Sequence, residues 1–185
     1  MAVFDIKKVD VSKLDTKELF VLDANVLFWL YGGYSPGPAD KDYVVAQEFS
    51  NFIAKLLQNG NPLGASVGNV QEVLNVIERT EFRLYQHAGG ALQQKKAFRA
   101  DPTQRRNVQK KVQATYNAIC GACELFDVML RQTELGQFVS DYTTHAYEPI
   151  DYFVAADVVA NGRLNYITND PDFQKDTRLN VYTML

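Results

Sequence analysis

The stretch Leu19-Phe20-Val21-Leu22-Asp23-Ala24-Asn25-Val26-Leu27 joins an apolar run to an acid and then to a second apolar run. Four large apolar residues in succession suit a short strand buried on both faces, the kind found in parallel sheets. An Asp directly after such a run suits a hand-over to a helix, since its carboxylate accepts from the first free helical amides. The fold is therefore read from a strand that ends at Asp23.

That local setting recurs along the chain. Glu72 follows the strand-like Gly64-Ala65-Ser66-Val67 by about one helical turn, and Asp151 opens the helix-like Asp151-Tyr152-Phe153-Val154-Ala155-Ala156-Asp157. Asp170 ends Leu164-Asn165-Tyr166-Ile167-Thr168-Asn169. In an open parallel α/β sheet such hand-over points gather in the crevice outside the carboxyl ends of the strands. Each acid also has a plain structural reading. Asp23 and Asp151 suit helix caps, Asn69-Val70-Gln71-Glu72 fits a capping box, and Asp170-Pro171-Asp172 fits a turn. Taken together they point further, because caps arise anywhere whereas acids at these strand ends converge. Asp151 shares a helix face with Val154, Ala155 and Val158, which sets it at the edge of the core stripe, while Asp157 is expected on the solvated side. Two carboxylates about 5 Å apart repel by roughly 3 kcal/mol at an effective dielectric of about 20. Four together imply a hard divalent cation, Mg²⁺ or Mn²⁺.

Around these points strand and helix alternate, giving an α/β fold with a parallel sheet covered by helices. Strands are expected at about 19–23, 63–67, 163–168 and 179–184, with another near 137–140. Helices are expected at about 41–58, from Asn69 onward, and at about 151–161. Residues 85–135 read as a polar helical elaboration broken near Gly89-Gly90 and Asp101-Pro102. At 185 residues the chain suits a single domain, 1–185.

The net charge of −3 conceals an asymmetry. Lys95, Lys96, Arg99, Arg105, Arg106, Lys110 and Lys111 fall within seventeen residues that hold one acid, Asp101. That window carries +6 and the remainder −9. Bases beside an acidic pocket suit a phosphate-backbone enzyme, the bases attracting the polyanion and the acids holding metal; a solvated helix face is the plainer alternative. The longest apolar stretch, Val26–Tyr31, is too short to span a bilayer, and the N-terminus lacks a secretory signal, so a cytoplasmic setting without membrane contact is expected. The cysteine pair Cys120-Gly121-Ala122-Cys123 has the spacing of a redox pair or half a zinc site, but inside a helical stretch it reads better as close helix packing. The aromatic cluster Phe28-Trp29-Tyr31 reads as core.

Val21–Leu27, Ser66-Val67-Gly68-Asn69-Val70-Gln71-Glu72-Val73, Asp151–Ala156 and Tyr166-Ile167-Thr168-Asn169-Asp170-Pro171-Asp172-Phe173 resemble, in order, the motifs of the PIN-domain nucleases. The resemblance implies a three-layer α/β/α sandwich around a mostly parallel sheet of about five strands. It implies Asp23, Glu72, Asp151 and Asp170 as catalytic and metal-site acids, Asp172 as a further ligand, and Asn25, Ser66 and Thr168 as polar supports. It implies cleavage of RNA phosphodiesters by metal-activated water. It also implies homodimerisation and, as in compact members, a toxin held by an antitoxin protein. Ala24 departs from the pattern, since a hydroxyl residue is common there. A PIN-like module that binds RNA or protein without cutting is the non-enzymatic alternative. A haloacid-dehalogenase-like phosphatase with Asp23 as nucleophile fits less well, because that family wants a second Asp where Asn25 stands.

Overall fold

The computed structural model describes residues 2–34, 37–38, 42–129, 131–142 and 147–185. Ser35 and Pro36 of the Gly/Pro loop, and His145, lie outside the described residues. Six strands form one parallel sheet: β1 (Val3–Asp5), β2 (Phe20–Leu22), β3 (Leu63–Ser66), β4 (Glu124–Phe126), β5 (Asn165–Ile167) and β6 (Asn180–Thr183). Their order across the sheet is β1-β6-β5-β2-β3-β4. From β2 the chain steps outward through β3 and β4, then returns to place β5 on the other flank of β2. That reversal makes the rim beside β2 and β5 the switch point where such sheets hold ligands.

Seven helices are described: α1 (Ala24–Tyr31), α2 (Tyr43–Asn59), α3 (Val67–His87), α4 (Lys95–Ala100), α5 (Pro102–Ala122), α6 (Gln132–Asp141) and α7 (Pro149–Ala160). Alternation along β2 divides them between two layers. Phe20 and Leu22 face a core built with α1, α2, α3 and Ile119 of α5, whereas Val21 faces Val154, Ala155 and Val158 of α7. Helix–sheet–helix layering follows, because a strand apolar on both faces needs cover on both. Gly60, at φ +91°, ends α2 in the left-handed conformation that glycine adopts without strain.

Several expectations are corrected here. Among the described residues the sheet has six strands, the addition to the expected five or so being β1, which pairs with β6. Residues 137–140 lie in α6, where Phe138 packs on Tyr152 and Phe153 of α7. β4 falls inside the stretch expected to be wholly helical, and Phe126 carries its buried side. Asp157 is buried, 6% exposed, because α7 is covered by the sheet on one side and by the Phe138 cluster on another; its Oδ2 has no hydrogen-bond partner among the described residues. Close packing does not explain the cysteine spacing either. Cys123 is buried and Cys120 exposed, and a Cβ on Gly121 would meet open space. Trp29 packs against Phe49 at the first core, with ring centroids 5.6 Å apart.

Candidate functional site

Asp23 leaves the end of β2 and caps α1, so the capping and rim readings both hold. Its backbone N–H donates to the Ile167 carbonyl at 3.0 Å, which ties this corner to β5. Oδ1 accepts from the Ala24 N–H at 2.7 Å and from the Tyr166 hydroxyl at 3.2 Å. Oδ2 accepts from Asn25 Nδ2 at 2.8 Å and from Thr168 Oγ1 at 2.6 Å. Four donors fix the carboxylate, yet burial pushes its pKa up to about 6, with Glu72 adding like-charge repulsion. Desolvation outweighs the hydrogen bonds at a position only 5% exposed.

Thr168, at the exit of β5, accepts from the Asp170 N–H at 2.9 Å while its hydroxyl serves Asp23. Asp170 then turns on itself, its Oδ1 accepting from the Asp172 N–H at 2.9 Å. One hydroxyl thus sets the spacing of the Asp23 and Asp170 segments. Asp172 itself points to Lys175, with 3.5 Å between charged atoms.

Glu72 does not belong to a capping box. Ser66 caps α3, accepting from the Asn69 N–H at 2.9 Å, which places Glu72 six residues into the helix. Asn69 instead donates to the Leu22 carbonyl at 3.0 Å and to the Tyr166 hydroxyl at 3.1 Å, docking α3 on β2. Ser66 therefore orients the helix that carries Glu72 and does not touch the acids in this structure. Asp151 lies in the first turn of α7, and α7 meets α3 where Gly68 lies under Ile150 and Val154. A Cβ on Gly68 would stand 3.4 Å from each of those side chains, in ordinary contact, so the gap between the two helices has room for one methyl.

Asp151 of α7 feels the acids of β2, α3 and the β5 exit. Asp151 is pushed up to about 8 by burial first, then by Asp23, Glu72, Asp170 and Glu148. Glu72 is raised by burial and by Glu148 and Asp170, with Arg79 opposing. No hydrogen bond or ion pair among the described residues offsets the charge of Glu72 or Asp151. Glu148, the residue before α7, is an acid that the sequence reading missed; Pro149 at the first helical position was the signal that α7 begins two residues before Asp151. Tyr166 and Asn69 were missed as well, since alternation hid a buried hydroxyl and amide within apolar runs.

The site presents only oxygen donors, the chemistry of a hard cation. As placed, no three acid, His or Cys side chains among the described residues stand close enough to hold a metal ion directly. A cation that keeps several waters and takes one or two carboxylates, as Mg²⁺ usually does, suits that wider spacing.

The basic segment meets the C-terminal half of α3, the helix that carries Glu72. Lys95, Arg99 and Arg105 approach Glu78 of α3 at 3.1, 2.5 and 3.8 Å, and Lys111 approaches Glu81 at 2.6 Å. Lys96, Arg106 and Lys110 are exposed and form no ion pair among the described residues.

No protein-family profile and no curated protein matches the chain. Among solved structures, the fold is similar to a chain of VapBC2 from Rickettsia felis, crystallised bound to a DNA fragment from their promoter. The TM-score is 0.52 at 12% identity, over 89% of this chain and 98% of that one. The likeness bears on the fold: an α/β sandwich with a parallel central sheet. No helix among the described residues is long and apolar enough to cross a membrane.

Proposed function

We propose that this protein is a metal-dependent endoribonuclease built on the plan of the PIN-domain nucleases that its motifs resemble. The observation that carries the reading is the placing of Asp23 at the β2 exit, Glu72 on α3, Asp151 in the first turn of α7 and Asp170 at the β5 exit; Asp151 is pushed up to about 8 by burial first and then by the like charges of Asp23, Glu72, Asp170 and Glu148. Such mutual repulsion persists in a folded protein where a cation relieves it. Asp23, Glu72, Asp151 and Asp170 would hold Mg²⁺ or Mn²⁺, with Asp172 released from Lys175 as a further donor. A bound ion of this kind supplies an activated water and stabilises charge during in-line displacement at phosphorus. Asn25, Thr168 and Tyr166 keep Asp23 in one orientation, and Ser66 fixes the helix bearing Glu72. The substrate is RNA, held in part by the cations of α4 and α5, in an aqueous, cytoplasmic setting.

The fold likeness to a VapBC2 chain supports a toxin role with an antitoxin protein as partner, and self-association belongs to the same proposal. A second reading, an RNA- or protein-binding module that does not cut, is favoured by one observation: among the described residues no three acids stand within direct ligation distance of a common ion. A cleavage assay with sequenced RNA ends, run with Mg²⁺, with Mn²⁺ and with chelator, separates the two. The nuclease reading expects metal-dependent cuts that vanish in Asp23→Asn. Tight metal-independent binding without cuts under either metal supports the second reading.

A further inference from the structure

A cavity of about 410 Å³ opens between α3 and α5, beyond the acidic rim. Its apolar side is Leu74, Val108 and Val112, and its amides are Asn75 and Gln109. Glu78 and Arg105 form its charged border. Three cations crowd that one carboxylate, so the border carries two positive charges in excess. The volume lies within the range of small-ligand sites, and the lining combines apolar surface with a few polar groups able to orient a ligand. Position matters as much as chemistry. Asn75 stands three residues after Glu72 on α3, a surface neighbour one turn along, and Glu78 lies about 9 Å of helix rise from Glu72.

We propose that this cavity is a subsite for one nucleotide of a single-stranded RNA, one step along the strand from the acidic rim. The base lies against Leu74, Val108 and Val112, the Asn75 and Gln109 amides meet its edge, and the adjoining phosphate meets the Lys95, Arg99 and Arg105 border. Asn and Gln amides both donate and accept, which suits a base edge, and a planar guanidinium suits a phosphate. An acidic peptide would satisfy the cations but leave the apolar side and both amides without purpose. The inference rests on the reading of the protein as an RNA enzyme and names where a flanking nucleotide binds.

Binding of a short fluorescein-labelled single-stranded RNA, followed by anisotropy in chelator, tests it against an abasic ribose-phosphate chain of equal charge. The parent should prefer the RNA by about tenfold, the worth of one or two hydrogen bonds from the amides to a base edge. Asn75→Ala combined with Gln109→Ala, both on exposed positions, should lose most of that preference. Arg105→Ala should keep it while lowering the log–log salt slope by about 0.7. Equal affinity of the parent for the two chains, or a double variant indistinguishable from the parent, overturns the subsite. Displacement of the RNA by polyglutamate at matched charge, with no base dependence, overturns it in favour of a protein partner. The two readings fail separately. Metal-dependent cleavage with no effect of the double variant on binding sinks the subsite alone. Base-dependent binding lost in the double variant, with no cleavage in any metal, sinks the nuclease alone.

Discussion

Replacing Asp151 by Asn removes the charge that the other acids oppose most strongly, while keeping nearly the same volume. Without divalent metal at pH 8 the variant should be more stable than the parent by about 1 kcal/mol, or roughly 3 °C in melting temperature. It should also lose any stabilisation by Mg²⁺ or Mn²⁺. A melting temperature that falls, with the cation response intact, would mean that Asp151 serves the fold and not a charge cluster. Thr168 makes a contrasting case. Thr168→Val deletes the hydroxyl that joins Asp23 Oδ2 to the Asp170 amide, leaving Oδ2 with Asn25 alone and the part-buried Asp170 N–H without this acceptor, at a cost of about 1–3 kcal/mol. Cleavage should drop by about tenfold to a hundredfold, the usual effect of losing a group that orients a ligand. Thr168→Ser, which keeps the hydroxyl, should recover most of that activity; failure to recover would assign the loss to packing. At this scale the four acids could be singled out because each stood beside a recognisable run, Asp23 and Asp170 at the end of one, Glu72 a turn beyond one and Asp151 at the start of one. Glu148, Tyr166 and Asn69 were not, since their roles depend on neighbours distant in the chain.

Among the elements, α3 links the fold to the site. Ser66→Ala removes its cap and should cost about 1 kcal/mol. Gly68→Val would place two methyl groups where a single Cβ already meets Ile150 and Val154 at 3.4 Å. The expected result is separation of α3 from α7, weaker coupling between Glu72 and Asp151, and a smaller thermal shift on adding Mn²⁺. Gly68→Ala, in ordinary contact, should behave much like the parent; identical Mn²⁺ responses for Val and parent would show that the approach of α3 to α7 is not needed. Boundaries read from periodicity fell close for β2, α2, β3 and α7, where apolar residues recur cleanly. They failed at β1, β4 and α6. β1 and β4 are edge strands of three residues, too short for a pattern, and each gains its identity from a partner strand far away in sequence. In α6, Phe138 and Val139 resemble a strand locally, but tertiary contact with α7 decides the matter.

For the whole molecule, the raised acids set a pH dependence. Asp23 and Asp151 rise from an ordinary 3.8 to about 6 and about 8, so the folded state holds these protons more tightly than the unfolded chain. Their contribution to stability is fully present below about pH 4 and is lost as pH rises through those values. In chelator, the melting temperature should therefore decline between about pH 5 and pH 8, and Mg²⁺ or Mn²⁺ should restore it at the alkaline end. Asp5, Asp176 and Glu78 are shifted the opposite way, and their losses fall in a more acid window. A melting temperature that climbs across pH 5–8 without metal would contradict the clustered-acid account. The strand order has a further consequence for how the chain becomes itself. β6 sits between β1 and β5, so β1 and the outer flank of β5 both wait for a strand that is made after either of them. During vectorial synthesis on a ribosome that seam closes only after residues 180–183 emerge. Until then those two edges offer unpaired backbone to any other chain nearby, so a nascent chain halted short of residue 180 is prone to mispairing and to proteolysis.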